Sequence, residues 1–232
     1  MMEQQTPTVD YYVWLSSDWA YLGGVRFVQL AARHGLKINH IPMRMQDVYA
    51  GSGGILLGKR SWQRQAYRIT ELKRWRSRLG IPVNIEPKFF PCDVDLASCV
   101  VIAGQRRGLP ITDFVNAVMR AIWAEDQNVA DHSVLIAIAD RCGLEGRELL
   151  DAADTEAVHS EYRGNTARAL AAGVFGAPFY VFAGELFWGQ DRLDMLEEAI
   201  VQSATGNLGR GPANPHPPQN GRRALAKRTP RA

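Results

Sequence analysis

With 232 residues, 46% of them hydrophobic and 22% charged, the chain has ordinary globular proportions, which exclude a fibrous or wholly disordered polypeptide and allow one sizeable core. The formal charge of +3 belongs to the tail: residues 204–232 hold six Lys or Arg and no acid, while the body carries 21 basic against 24 acidic groups. A nucleic-acid footprint on the folded body is therefore not supported.

Cys92, Cys99 and Cys142 are odd in number and form no Cys-x-x-Cys pair, which argues against a disulfide framework. The five histidines show no metal-ligand spacing with one another or with the cysteines, so no metal site is expected. Met1 to Thr8 is polar, without the apolar stretch of a secretory leader, and no run approaches the ~18 apolar residues of a membrane span. The expectation is a cytoplasmic protein that binds neither membrane nor nucleic acid.

In chain order, Val9 to Leu15 is rich in β-branched and aromatic residues and reads as a buried strand. Ser16-Ser17-Asp18 supplies three N-cap-type residues, the apolar spacing from Trp19 to His34 is helical, and Gly35 closes that helix. Leu36 to Ile41 is a second strand stopped by Pro42, and strand, helix, strand implies a parallel crossover. Arg44 to Gly58 is glycine-rich and reads as a loop with a short helix around Gln46 to Tyr49. Lys59 to Leu79 is a helix with Trp62, Tyr67, Ile69, Leu72 and Trp75 among basic residues, and Ile85 to Cys92, with two prolines, is a loop. Helical periodicity then recurs over 93–107, 111–124, 131–142, 145–152 and 155–172. Asp93, Thr112, Asp131 and Asp154 are the predicted caps of four of these helices, and Gly108, Gly143 and Gly173 their stops.

The segment Phe175 to Leu193 reads as turn, strand, tight turn, strand, helix. Phe179 to Phe182 and Leu186 to Trp188 are apolar runs joined through Ala183-Gly184-Glu185. Pro178 opens the first run; it gives no N–H to a ladder and holds Ala177 extended. A helix follows from Gly189 or Gln190 to about Ser203, and the Gly- and Pro-rich basic remainder is expected to be disordered. This order predicts an α/β, thioredoxin-like fold with one mixed sheet and a large all-helical insertion. Residues 9–45 and 173–203 form the thioredoxin-like part, 46–172 the insertion and 204–232 the tail.

The stretch Leu15-Ser16-Ser17-Asp18-Trp19-Ala20-Tyr21-Leu22-Gly23 resembles the first active-site segment of the 2-hydroxychromene-2-carboxylate isomerases and kappa-class glutathione transferases. Phe175-Gly176-Ala177-Pro178 and Phe187-Trp188-Gly189-Gln190-Asp191-Arg192-Leu193 are similar to the family's cis-proline loop and its Trp-Gly-Asn/Ser-Asp-Arg signature. The likeness spans about residues 9–202. Three positions depart from the pattern: Asp18 stands where proline is usual, Ala20 where a second serine is usual, and Trp14 where an acidic residue is common.

The resemblance implies reduced glutathione as cofactor, a small-molecule substrate and a homodimer. It implies Ser17 as the catalytic residue, at a helix N-terminus where backbone N–H groups and the dipole favour a thiolate. It implies that Ala177, before a cis Pro178, pairs its backbone with the cofactor, that Asp191 holds the γ-glutamyl ammonium, and that Gln190 meets the adjacent carboxylate. Lys59 or Arg60 can meet an anionic group. The isomerase reading leads; the alternatives are a kappa-like transferase and a catalytically degraded binding protein. Disulfide exchange is disfavoured, because Ser17-Asp18-Trp19-Ala20 contains no thiol. Taken alone, Ser16, Ser17 and Asp18 also read as a plain N-cap, and Cys92 as a small buried hydrophobe. Asp18 is the open question: pointing inward it disfavours a second negative charge beside Ser17, pointing outward it only caps.

Overall fold

A computed structural model describes residues 6–205, so the expected disorder of the tail falls, but for two residues, outside the described part. The elements are β1 (Thr8–Val13), α1 (Asp18–Arg33), β2 (Lys37–Pro42), α2 (Met45–Ser52), α3 (Trp62–Leu79), α4 (Asp95–Arg106), α5 (Thr112–Trp123), α6 (His132–Arg141), α7 (Gly146–Ala153), α8 (Glu156–Ala171), β3 (Phe179–Phe182), β4 (Glu185–Trp188) and α9 (Leu193–Ala204). Single 3-10 turns at Leu57–Lys59 and Gln190–Arg192 precede α3 and α9. The fold is the expected thioredoxin-like one with a helical insertion.

The sheet order is β2-β1-β3-β4. β1 pairs in parallel with β2, Tyr11 facing His40, and antiparallel with β3, Tyr12 facing Phe179. β3 and β4 form the hairpin, whose turn falls on Ala183 and Gly184 with φ of 49° and 85°, the left-handed pair required by a two-residue connection. The period-2 alternation of β1 sends Val9, Tyr11 and Val13 to one face, where Phe27 and Leu30 of α1 and Leu196 and Ile200 of α9 cover them. Tyr12 faces the other side with Ile41, Phe179, Met45, Val48 and Ala169, under α2 and α8. On the first face Tyr11 stacks on Tyr180 at 5.3 Å and both meet Phe27.

The insertion continues this core. Ala97 to Gly104 of α4 are all buried, as expected of a helix enclosed by neighbours, and Trp123 at the end of α5 has no exposed surface. Three helix starts differ from the sequence-based expectation. Val94, not Asp93, occupies the cap position of α4, while Asp93 Oδ1 accepts from Asp95 N–H at 2.9 Å. Ile111, not Thr112, occupies the cap position of α5, and the Thr112 hydroxyl bonds His40 Nε2 at 2.9 Å. Thr155 takes the cap position of α8, while Asp154 pairs with His159 at 3.1 Å.

His40 is 3% exposed, and burial pushes its pKa down from 6.5 to about 4. The unfolded chain takes up this proton below pH 6.5 and the fold only near 4, so the associated stability is full above 6.5 and lost as pH falls toward 4. It amounts to about 3 kcal/mol. His40→Gln is expected to flatten the acid limb of the stability curve by that amount, measured as urea unfolding free energies at pH 7 and pH 4 for both proteins.

Candidate active site

The pairing of β1 with β3 places the loop that leaves β1 beside the loop that enters β3, which brings residues 17 and 177 together. Ser17 is the N-cap of α1; its hydroxyl accepts from Ala20 N–H at 3.2 Å and donates to the Ala177 carbonyl at 3.3 Å. The latter is long for an O–H···O bond, so its proton is weakly held. The Ala177–Pro178 peptide is cis. Ser17 is 4% exposed at the N-terminal end of α1, where the Trp19 and Ala20 N–H groups are taken by Asp18 Oδ1 and the Ser17 hydroxyl.

Asp18 points inward. Its Oδ1 accepts from Trp19 N–H at 2.8 Å and its Oδ2 from Arg68 Nε of α3 at 2.6 Å. The two side chains are 9% and 11% exposed. Burial pushes the Asp18 carboxyl above its usual range, and Arg68 opposes that shift. The guanidinium lies over the rings of Phe90 and Trp123 at 5.3 and 5.6 Å. The carboxylate expected to disturb the site is thus neutralised by a cation fifty positions later.

Two hollows meet at this point. A groove of about 280 Å³ runs along Trp19, Glu71, Trp75, Ala177, Trp188 and Asp191. Asp191 and Arg192 face each other at 2.7 Å, both about half exposed, offering a carboxylate and a guanidinium side by side. Gly189 permits this: with φ of 102°, a Cβ there would lie 2.5 Å from Asp191 Oδ1. Gln190 also lines this groove, with its side-chain oxygen engaged on α1. It is 2% exposed, its side-chain oxygen is taken by Arg26 of α1, and Arg26 Nη2 also bonds its carbonyl at 2.9 Å. That approach requires Gly23, where a Cβ would sit 2.7 Å from Gln190 Cβ. Gln190 is therefore a brace between α1 and the turn before α9.

The second hollow, a chamber of about 70 Å³, is lined by Ser17, Asp18, Trp14, Tyr49, Arg60 and Arg68, and shares Trp19 and Ala177 with the groove. Its volume is under the ~150 Å³ known to accept benzene, and one of its walls is the segment 53–61 with exposed Ile55 and Leu56. Arg60 spans this segment, donating from Nε to the Ile55 carbonyl at 2.8 Å and from Nη2 to the Tyr49 hydroxyl at 3.1 Å. Lys59 does not line either hollow.

The structure thus brings Ser17, Ala177 and Asp191 together around the two hollows, and Gln190 lines the groove with its side-chain oxygen held by Arg26. Arg68, Glu71, Trp75 and Trp188 were not picked out as site residues in the sequence. A signal for Arg68 exists: it precedes Leu72, the one fully buried residue of α3, by four positions and so shares its inward face. Elsewhere, Cys99 lies 3.6 Å from His159 Nδ1, but burial pushes its thiol up to about 11, which makes it unreactive. Among the described residues no cluster could hold a metal and no helix is long and apolar enough to cross a membrane.

A protein named 2-hydroxychromene-2-carboxylate isomerase from Sphingobium xenophagum is 28% identical over 197 residues, covering 84% of this chain and 99% of its own. One of the same name from Pseudomonas putida is 25% identical, covering 83% of this chain and 93% of its own. The solved structure of selenomethionine-labelled 2-hydroxychromene-2-carboxylate isomerase superposes with a TM-score of 0.72 at 24% identity, over 86% of this chain and 97% of that one, which shows a common fold. The family of DSBA-like thioredoxin domains matches residues 8–201, and the chain belongs to that family.

Proposed function

We propose that the protein is a glutathione-dependent isomerase of the 2-hydroxychromene-2-carboxylate type, cytoplasmic and acting as a homodimer on an aromatic or polyketide-like carboxylate. The observation that carries this reading is the Ser17 hydroxyl, loosely tied to the Ala177 carbonyl, at the N-terminus of α1 where groove and chamber meet. The names of the two relatives agree with it.

The chemistry of the groove supports reduced glutathione as the cofactor. The Asp191–Arg192 pair is the complement of an α-amino acid zwitterion such as the γ-glutamyl end, and the extended Ala177 backbone lies on the path from there to Ser17. Glutathione held by Asp191, Arg192 and Ala177 would supply a thiolate as a reversible nucleophile toward a conjugated substrate. Ser17 stabilises that anion by turning its proton away from Ala177, assisted by the dipole at the N-terminus of α1. Arg68 cancels the charge of Asp18, which keeps a second anion tolerable. The aromatic walls of the chamber exclude water and orient a flat substrate.

Calorimetric titration with reduced glutathione tests the cofactor. Binding in the millimolar range or tighter is expected, weakened about tenfold by Asp191→Asn, the loss of one charge-assisted contact, and little changed by Gln190→Ala. No heat with the folded protein would overturn the reading. Turnover of 2-hydroxychromene-2-carboxylate, followed by absorbance, tests the substrate.

A further inference from the structure

Arg68 is the one cation of the chamber lining with a buried, unpaired nitrogen. Its Nε is fixed by Asp18 and its faces lie against Phe90 and Trp123. Its Nη2 is buried and has no hydrogen-bond partner. An ionised N–H that is buried and unpaired is costly, and such groups await an acceptor. Arg60, the other cation lining the chamber, already gives Nε and Nη2 to Ile55 and Tyr49. The remaining polar side chains of the lining carry no further positive charge. A guanidinium held rigidly by one carboxylate, with part of its fork unused, is pre-organised for a second carboxylate.

We infer that Arg68 is the receptor for the carboxylate of an aromatic acid bound in the chamber, with Asp18 as the positioning residue that holds its guanidinium. The inference rests on the chamber being the substrate compartment. It assigns the Asp18–Arg68 pair a specificity role: the acid's ring packs against Trp19 and Phe90 while its charge meets α3, and segment 53–61 yields to admit it. It also explains why the departure from proline at position 18 is compatible with function. The carboxylate orients Arg68, and the pair is neutral until an anionic ligand arrives.

The test compares 1-naphthoate with its neutral twin 1-naphthamide by calorimetry. The wild-type protein is expected to bind the naphthoate at least tenfold more tightly. The double variant D18N/R68Q removes both buried charges together, so that neither is stranded, and is confirmed as folded by its circular-dichroism melt. It is expected to lose the preference for the naphthoate over the naphthamide. R68K, keeping the charge but not the fork, is expected to retain part of it. Equal binding of the two probes by the wild type, or a preference that survives in D18N/R68Q, would overturn the inference. An Arg68-dependent preference in a protein that does not turn over 2-hydroxychromene-2-carboxylate sinks the isomerase reading alone and leaves Arg68 as the receptor.

Discussion

Ser17→Ala is expected to lower isomerase turnover roughly 10²- to 10³-fold, the usual effect of deleting one donor aimed at a developing anion. The loss should appear in kcat, with the glutathione titration nearly unchanged, because the groove around Asp191 and Arg192 is built from other residues. The same substitution removes the side-chain cap of α1 and the link to Ala177, at about 1 kcal/mol of stability. That is too little to unfold the protein, so kinetics and a thermal melt on one preparation separate the two effects. Ser17→Thr or Ser17→Cys retaining substantial turnover supports the donor role. Full activity in Ser17→Ala would remove Ser17 from the mechanism.

The second large effect belongs to stability. Arg68→Met leaves Asp18 buried beside two aromatic rings without its cation, and breaking one side of such a pair costs about 3–5 kcal/mol. For a domain of this size that corresponds to a fall in melting temperature of roughly 10 °C. The pH dependence identifies the cause. Burial already raises the Asp18 carboxyl above its ordinary range, and losing Arg68 raises it further. A group whose folded pKa is raised favours the fold at low pH, so the deficit of Arg68→Met is greatest near neutrality and shrinks as the pH falls and Asp18 takes up a proton. A deficit independent of pH would point to lost packing against Phe90 and Trp123 instead. D18N/R68Q should recover most of the stability lost in the single variant.

The strands, most helices and the two converging loops are legible in the sequence because each is announced locally. Val9 to Leu15 carries its β-branched and aromatic run, Gly108, Gly143 and Gly173 take the left-handed conformation at helix ends, and Pro178 stands at the head of β3. What the sequence does not announce is the direction of a polar side chain whose partner is remote. Asp18 and Thr112 both suit a helix start by local chemistry, yet Asp18 is claimed by Arg68 and Thr112 by His40. Nor does the sequence announce that the side-chain oxygen of Gln190, a residue of the groove lining, is held by Arg26, 164 positions earlier. In each case a polar partner remote in the sequence engages a side chain whose local chemistry suggests another role.

The strand order has a consequence for how the chain is made. β1 lies second in the sheet, between β2 and β3, but β3 is supplied by residues 179–182, which leave the ribosome long after β1 has paired with β2. Throughout that interval β1 is an edge strand that bears Tyr11 and Tyr12, with its later partner still unsynthesised, the kind of surface that recruits other chains. The helices from α4 to α8 close their backbone hydrogen bonds within each segment and can form before the sheet is complete. A ribosome stalled after α8 should therefore hold a helical but aggregation-prone nascent chain, and a peptide spanning the β3–β4 hairpin, added in trans, is the natural means of quieting it.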